Sequence, residues 1–200
     1  MNWMKKVAVA LVCLLPLGLQ AAKVDTLQVK SPSMNKSIEV VVVSPDVAAT
    51  KACPVIYLLH GYGGNARTWV GIKPDLSKIA DEKGIFFVCP DGKNTWYWDS
   101  PLNADVRYET FISDELVKYV DSHYKTVADR KGRAITGLSM GGHGAMWNGL
   151  RHSDVFSAAG STSGGVDIRP FPKNWEMSVQ IGEKAQYPEN WEKYTVINLV

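Results

Sequence analysis

Short, continuous apolar runs alternate along this chain with segments of helical periodicity, and this alternation is the strongest constraint on its fold. The apolar runs cover residues 55–59, 85–88, 134–138 and 156–160. Helical periodicity covers residues such as 75–83 and 108–124. Strands that are apolar along their whole length are buried on both faces, as in a parallel sheet covered by helices. We therefore expect one α/β domain with a mostly parallel sheet.

Two further runs and the composition complete this expectation. Residues 26–30 and 38–43 flank a polar turn and predict an antiparallel hairpin before the parallel strands. The 200 residues are 46% hydrophobic and 21% charged, which excludes disordered and coiled-coil chains. There are 22 Lys plus Arg against 20 Asp plus Glu, and without Lys5 and Lys6 the two signs balance. A neutral chain has no electrostatic footprint for nucleic acid or anionic lipid, so neither is expected as a partner.

Residues 1–21 have the organisation of a secretory signal peptide. Lys5 and Lys6 precede an apolar stretch over residues 7–19, and small residues follow at 21–22. About 13 apolar residues interrupted by Pro16 are short of the roughly 20 that span a bilayer, although an uncleaved membrane anchor is the alternative. We expect cleavage and an exported domain over residues 22–200, periplasmic or secreted and without a membrane segment.

The two cysteines that remain, Cys53 and Cys89, are predicted to be free and buried. Cys53 precedes one predicted strand and Cys89 closes the next, so they lie at opposite ends of neighbouring parallel strands. That separation exceeds the roughly 7 Å between Cα atoms that a disulfide allows.

A G-x-S-x-G motif at residues 137–141 carries the strongest functional signal. It lies between an apolar strand and a predicted helix over residues 142–151, which is where a nucleophile elbow presents its serine above the sheet. Glycines two residues either side of Ser139 are needed because side chains there would collide with neighbouring backbone. A glycine-rich turn with an incidental serine is the alternative. We identify Ser139 as the candidate nucleophile.

A serine nucleophile also needs N–H donors for the oxyanion of the tetrahedral intermediate. The N–H of Met140 is one candidate by position, and the glycine-rich loop 60–64 supplies the N–H of Tyr62 as the second. His60 precedes this loop, and we expect it to have a structural hydrogen-bonding role rather than to act as the general base.

Four motifs in order resemble the esterase D-type putative esterase family of α/β-hydrolases. They are Pro-Val-Ile-Tyr-Leu-Leu-His-Gly-Tyr-Gly-Gly-Asn at 54–65, Pro-Asp-Gly at 90–92 with Trp96 and Tyr97, Tyr-Glu-Thr at 108–110, and Ile-Thr-Gly-Leu-Ser-Met-Gly-Gly-His-Gly-Ala at 135–145. The resemblance covers about residues 25–165 and implies the α/β-hydrolase fold. It also implies a serine carboxylesterase mechanism that uses Ser139, Tyr62 and Met140.

Within that family, several aromatic residues suit stacking against a sugar or a phenolic acyl group. They are Trp96, Tyr97 and Trp98, with Trp175 further on. The alternative is that they pack a long loop onto the domain. We take the first three as the candidate substrate-binding residues. The expected substrates are acyl esters, and acetyl or feruloyl esters of carbohydrate are the candidate class.

The acid and the base of a catalytic triad are not identifiable in this sequence. His143 and His152, the two histidines after Ser139, both fall on the helix that follows it, where neither can readily reach Ser139 as a base. Asp154, Asp167 and Glu176 do not match the position of the family's triad acid. We therefore expect a C-terminally incomplete domain.

Three interpretations remain from the sequence: an esterase whose acid and base lie beyond residue 200, an inactive ester- or glycan-binding module, and an acyltransferase or serine peptidase. No metal site and no cofactor are predicted, because the histidines and cysteines lack ligand spacing.

Overall fold

A computed structural model describes residues 22–200. The predicted leader, with Cys13, lies outside the described residues. The described residues form six strands, which are β1 (Lys23–Ser31), β2 (Lys36–Ser44), β3 (Val55–Leu59), β4 (Phe86–Pro90), β5 (Arg133–Gly137) and β6 (Ala158–Ala159). They form one mixed sheet in the order β1-β2-β4-β3-β5-β6. β2 pairs antiparallel with both β1 and β4, whereas β4, β3, β5 and β6 run parallel.

Seven α-helices connect and follow the strands in the described part of the chain. They are α1 (Thr68–Ile72), α2 (Leu76–Lys83), α3 (Tyr108–Thr110), α4 (Leu116–His123), α5 (Met140–Arg151), α6 (Met177–Ile181) and α7 (Pro188–Lys193). A π-helical segment, Phe111–Glu115, joins α3 to α4. Short 3-10 turns occur at Asp46–Ala49, Arg130–Gly132 and Val196–Leu199. Within residues 22–200, every helix is too short or too polar to cross a bilayer.

The central strands are buried on both faces, as their apolar runs predicted. Every residue of β4 is buried, and all of β3 except the partly buried Ile56. One face of the sheet packs against the large side chains of α3, α5 and α7, including Trp147, Tyr108 and Trp191. The other face packs against α2 through Leu76 and Ala80. This arrangement places the loops after β3, β4 and β5 at one edge of the sheet.

The predicted hairpin and the predicted parallel strands are confirmed, with shifts of one to three residues at their ends. The run 156–160 is the exception, because only Ala158–Ala159 pairs with β5 as a strand. β6 is the last strand of the described sheet, and both of its residues are exposed. The polar stretch after it forms α6 and α7.

The two thiols behave as predicted. Cys53 and Cys89 are free and each is only 1% exposed. Cys53 precedes β3, and Cys89 lies near the carboxyl end of β4, which pairs in parallel with β3. Burial raises the pKa of both thiols, that of Cys89 to about 12.

Candidate active site

Ser139 occupies a strained turn between β5 and α5. Its φ of 54° and ψ of −115° are rarely adopted by a residue with a side chain. A Cβ on Gly137 would collide with the backbone of Gly141, and a Cβ on Gly141 would collide with the carbonyl of Leu59. The Ser139 N–H donates to Thr162 O at 2.8 Å, which holds the turn in place. The two glycines therefore do what the motif predicted: they let the turn pack against the end of β3.

The two predicted oxyanion donors belong to α5 and to the loop after β3, and both of these segments adjoin Ser139. Met140 is the first residue of α5, so its N–H is at the positive end of a twelve-residue helix. The loop after β3 closes as a turn in which the Gly64 N–H donates to Gly61 O at 3.0 Å and Gly63 has φ 75°. A Cβ on Gly61 would lie 3.5 Å from Ser139 Cβ, which shows how close this loop comes. Within residues 22–200, the N–H groups of Tyr62 and Met140 donate to no protein acceptor.

His60 is a support for this loop. It is 1% exposed, its Nε2 accepts from the Gly92 N–H at 2.9 Å, and its Nδ1 lies 2.7 Å from Gly61 O. Because Nε2 is an acceptor, Nδ1 carries the proton and donates to Gly61 O. Both ring nitrogens are thereby used inside the fold, as expected for a structural histidine.

His143 is also engaged on both sides of its ring. It is fully buried, its Nε2 accepts from Trp98 Nε1 at 3.0 Å and its Nδ1 lies 2.7 Å from Gly165 O. Burial lowers the pKa of His143 to about 4, so the ring is neutral near pH 7. It joins α5 to the loops that carry Trp98 and Gly165.

His152 lies at the carboxyl end of α5 and bonds to the buried Glu109, with 2.8 Å between Nε2 and Oε1. Glu109 also accepts from Trp147 Nε1 and from Arg151 Nε, each at 2.8 Å. These hydrogen bonds, acting against burial, lower the pKa of Glu109. The cluster anchors α5 to α3 and does not reach Ser139.

A cavity of about 240 Å³ opens beside Ser139. Its walls are mostly aromatic and apolar, and its lining residues are Tyr62, Trp96, Ser139, Ser163, Gly165, Asp167, Ile168, Phe171, Trp175 and Met177. Three of these aromatic side chains, Tyr62, Phe171 and Trp175, are between 38% and 45% exposed. The cavity can therefore take an apolar or aromatic group next to the serine.

The structure corrects the prediction of three substrate-binding aromatic residues. Only Trp96 lines the cavity; Tyr97 and Trp98 are completely buried and present no surface to a ligand. The Tyr97 hydroxyl donates to His60 O at 3.1 Å, and Trp98 donates to His143 and stacks on Trp96. Tyr97 and Trp98 thus pack the loop onto the domain, which was the alternative for these residues.

Sequence reasoning left several cavity residues unassigned. Ser163, Ile168, Phe171 and Met177 line the cavity, lie after β6 and belong to none of the motifs that the sequence offered. Asp167 also lines the cavity, and its carboxylate is paired with Arg169 at 2.8 Å from Nε and 2.9 Å from Nη2. The hydrogen bonds from Arg169 lower the pKa of Asp167.

Residues 22–200 contain no cluster of three His, Cys, Asp or Glu side chains placed to hold a metal ion.

Comparison with known proteins places this geometry in a family. Residues 31–198 match the Putative esterase family. The chain is 31% identical over 149 residues to Esterase Rv1288 of Mycobacterium tuberculosis, covering 71% of this chain and 32% of that protein. It is 31% identical over 102 residues to an acetyl esterase of Caldicellulosiruptor saccharolyticus, covering 50% of this chain and 37% of that protein. The chain thus spans about a third of the length of these relatives.

A solved ferulic acid esterase superimposes with a TM-score of 0.68 and 30% identity, covering 88% of this chain and 71% of that one. The structural neighbours include esterases of the α/β-hydrolase fold, which is the fold predicted from the motifs. The family match extends over nearly all of the described residues, from β1 to the last 3-10 turn. The chain therefore belongs to the Putative esterase family and has the α/β-hydrolase fold.

Proposed function

We propose that this protein is a serine carboxylesterase that acts through an acyl-enzyme on Ser139. The observation that carries the proposal is the position of Ser139, strained in its turn, at an aromatic cavity and beside two N–H groups that find no protein acceptor within residues 22–200. Strained nucleophiles and unpaired donors at one point are features of sites that bind a developing oxyanion.

In the proposed reaction Ser139 Oγ attacks the ester carbonyl carbon and its proton passes to a general base. The carbonyl oxygen becomes an oxyanion that accepts hydrogen bonds from the N–H groups of Met140 and Tyr62. The intermediate collapses, and the alcohol leaves with the proton. Water then attacks the acyl-enzyme by the same route and releases the acid. Loss of one oxyanion donor typically costs about 10²- to 10³-fold in kcat.

We propose that the general base and its acid come from outside residues 22–200. His60 and His143 each use both ring nitrogens inside the fold, and His152 bonds to Glu109. The remaining histidine, His123, stacks on Tyr119 and does not line the cavity. Residues 22–200 alone are therefore expected to turn over substrate slowly, because a serine without its base loses orders of magnitude in kcat.

We further propose that the substrates are acetyl or feruloyl esters of carbohydrate and that the domain is exported. The aromatic cavity wall of Trp96, Phe171 and Trp175 supports an aromatic acyl group. The names of the acetyl esterase and ferulic acid esterase relatives agree with this class. The signal-peptide pattern of residues 1–21 supports export.

The test compares the full chain with its Ser139→Ala and Ser163→Ala variants. Ser163 lines the same cavity, so its variant is the matched control. A fluorophosphonate probe, followed by intact mass over hours, should slowly modify the wild type and Ser163→Ala at one site and should not modify Ser139→Ala. Hydrolysis of p-nitrophenyl acetate should follow the same pattern. Modification that persists in Ser139→Ala would show that another residue is the nucleophile.

A second candidate is a binding module for esters or glycans that has no turnover. It is favoured by one observation, the engagement of His60, His143 and His152 away from Ser139. Such a module would bind a feruloylated oligosaccharide in calorimetry but leave it intact over hours, and Ser139→Ala would bind it equally well.

A further inference from the structure

A chain of hydrogen bonds crosses from the turn that carries Tyr62 to the opposite lip of the cavity. The Gly63 N–H donates to Asn94 Oδ1 at 2.9 Å, and Asn94 Nδ2 donates to Glu176 Oε2 at 3.1 Å. Partial burial, and after it the neighbouring Glu176 carboxylate, raises the pKa of the Tyr62 hydroxyl. We call the two hydrogen bonds that join Gly63, Asn94 and Glu176 the Asn94–Glu176 bridge.

The backbone that presents Glu176 is itself held in an unusual conformation. Trp175 and Glu176 have φ of 50° and 52°, and across the cavity Trp96 and Tyr97 have φ of 59° and 60°. Trp96 Nε1 donates to Trp175 O at 3.0 Å and joins the two strained pairs. Positive φ costs a non-glycine residue of order 1 kcal/mol or more, so it persists only where surrounding contacts impose it. Strain of this kind concentrates at sites where geometry matters more than stability.

The Asn94–Glu176 bridge acts on the peptide groups around the proposed oxyanion donor. The peptide that carries the Tyr62 N–H is held on one side, because Gly61 O accepts from the Gly64 N–H and from His60. The bridge holds the other side, through the Gly63 N–H. Rotation about the backbone of Tyr62 is therefore restrained from both ends. An oxyanion donor is effective only when it is aligned before the reaction.

We propose, on the basis of the serine esterase function above, that Asn94 and Glu176 are positioning residues that align the Tyr62 N–H toward Ser139. Neither side chain forms the cavity wall, so both act through Tyr62 and Gly63. The bridge also links the alignment of that donor to the segment that carries Phe171 and Trp175. A substrate that packs against Phe171 and Trp175 thus contacts the segment that also carries Glu176, one of the two residues that align the oxyanion donor.

The chemistry of the bridge allows a reversal of its polarity. In Asn94→Asp, the new carboxylate can still accept from the Gly63 N–H, but it faces Glu176 with no donor between them. In Asn94→Asp with Glu176→Gln, the glutamine amide can donate to the carboxylate at residue 94. The double variant therefore keeps the Gly63 N–H bond to residue 94 and restores the bond between residues 94 and 176 with donor and acceptor exchanged. Glu176→Gln alone keeps one acceptor and is the conservative control.

The experiment measures kcat and KM of the full chain for p-nitrophenyl acetate, together with amide exchange at Gly63 by NMR. For Asn94→Asp we expect about tenfold lower kcat, KM within about twofold, and faster Gly63 exchange, because alignment of the donor affects the transition state most. The double variant should recover kcat to within about threefold of wild type, which measures the coupling of the pair. Glu176→Gln should lose about twofold.

Two results would overturn this proposal. One is an unchanged kcat in Asn94→Asp, whether or not its melting temperature falls. The other is a double variant no faster than Asn94→Asp although both are folded by circular dichroism. Gly63 exchange does not depend on turnover, so it tests the bridge even if hydrolysis is weak. Turnover that persists in Ser139→Ala would instead contradict the proposed nucleophile and leave the exchange result for the bridge intact.

Discussion

Gly141→Ala is the substitution that tests the nucleophile turn most directly. A Cβ at this position would overlap Leu59 O and lie 2.5 Å from His60 O, so both obstacles are main-chain atoms at the end of β3. They cannot rotate away as a side chain would. Leu59 O also accepts from the Leu138 N–H at 3.2 Å and from Trp69 Nε1 at 3.0 Å. Relief of the collision must therefore move α5 away from β3 or weaken these two hydrogen bonds.

The size of the effect follows from these contacts. Overpacking a close contact costs about 1–3 kcal/mol, and each weakened hydrogen bond costs up to about 1 kcal/mol. Replacement of glycine by alanine in a helix returns about 0.5–1 kcal/mol through the unfolded chain. We therefore expect the free energy of unfolding to fall by about 3 kcal/mol. With an m-value of about 2 kcal/mol per molar urea, the midpoint should fall by about 1.5 M.

The matched control is Gly71→Ala in α1, where a Cβ would have no neighbour within 4 Å. Its midpoint should stay level or rise by about 0.3 M. Urea unfolding of both variants, followed by tryptophan fluorescence and circular dichroism, gives the comparison. If Gly141→Ala unfolds within about 0.3 M of wild type, the close packing of the turn against β3 is not what requires glycine there.

Three further predictions concern the thiols, the buried histidine and the cavity wall. Cys53 and Cys89 should react with a disulfide reagent such as DTNB only in denaturant, because both are buried; a fast native reaction of either would refute this. The pKa of His143 falls from 6.5 to about 4 on folding, so the unfolded chain takes up its proton first as the pH drops. The free energy of unfolding should therefore decrease by roughly 3 kcal/mol between pH 6.5 and pH 4, and His143→Gln should lack this part of the dependence in pH-resolved urea titrations. Trp175→Ala should raise KM for an aryl ester while Val179→Ala, which is exposed but outside the cavity wall, should not; equal KM values would exclude Trp175 from substrate contact.

The elements that sequence reasoning identified correctly share one property: their signals are local. The strand β3 and the helix α5 are apparent as an apolar run and a glycine-flanked serine before a periodic segment. Cys53 and Cys89 could be predicted as free from the strand order alone. His60 was expected to be structural because it precedes the glycine loop, and its two hydrogen bonds agree with that role.

The features that were missed depend on contacts between distant residues. Trp96, Tyr97 and Trp98 are adjacent and chemically similar, and nothing in their order shows that only Trp96 reaches the cavity. Trp96 and Tyr97 both have positive φ. The chain turns there so that Tyr97 packs against Gly144 and Trp98 donates a hydrogen bond to His143. Asn94 and Glu176 are 82 positions apart, and neither belongs to a motif.

The sequence by itself determined the α/β class, the strand-turn-helix around Ser139 and the candidate oxyanion donors. Those follow from short-range sterics and from the burial of continuous apolar runs, which act over a few residues. Tertiary structure alone decided which aromatic side chains line the cavity and which neighbours occupy His143 and His152. It also decided that Glu176 is joined through Asn94 to the loop that carries Gly63. These outcomes depend on how elements far apart in the chain meet at one edge of the sheet, where packing and hydrogen-bond satisfaction are settled for all of them together.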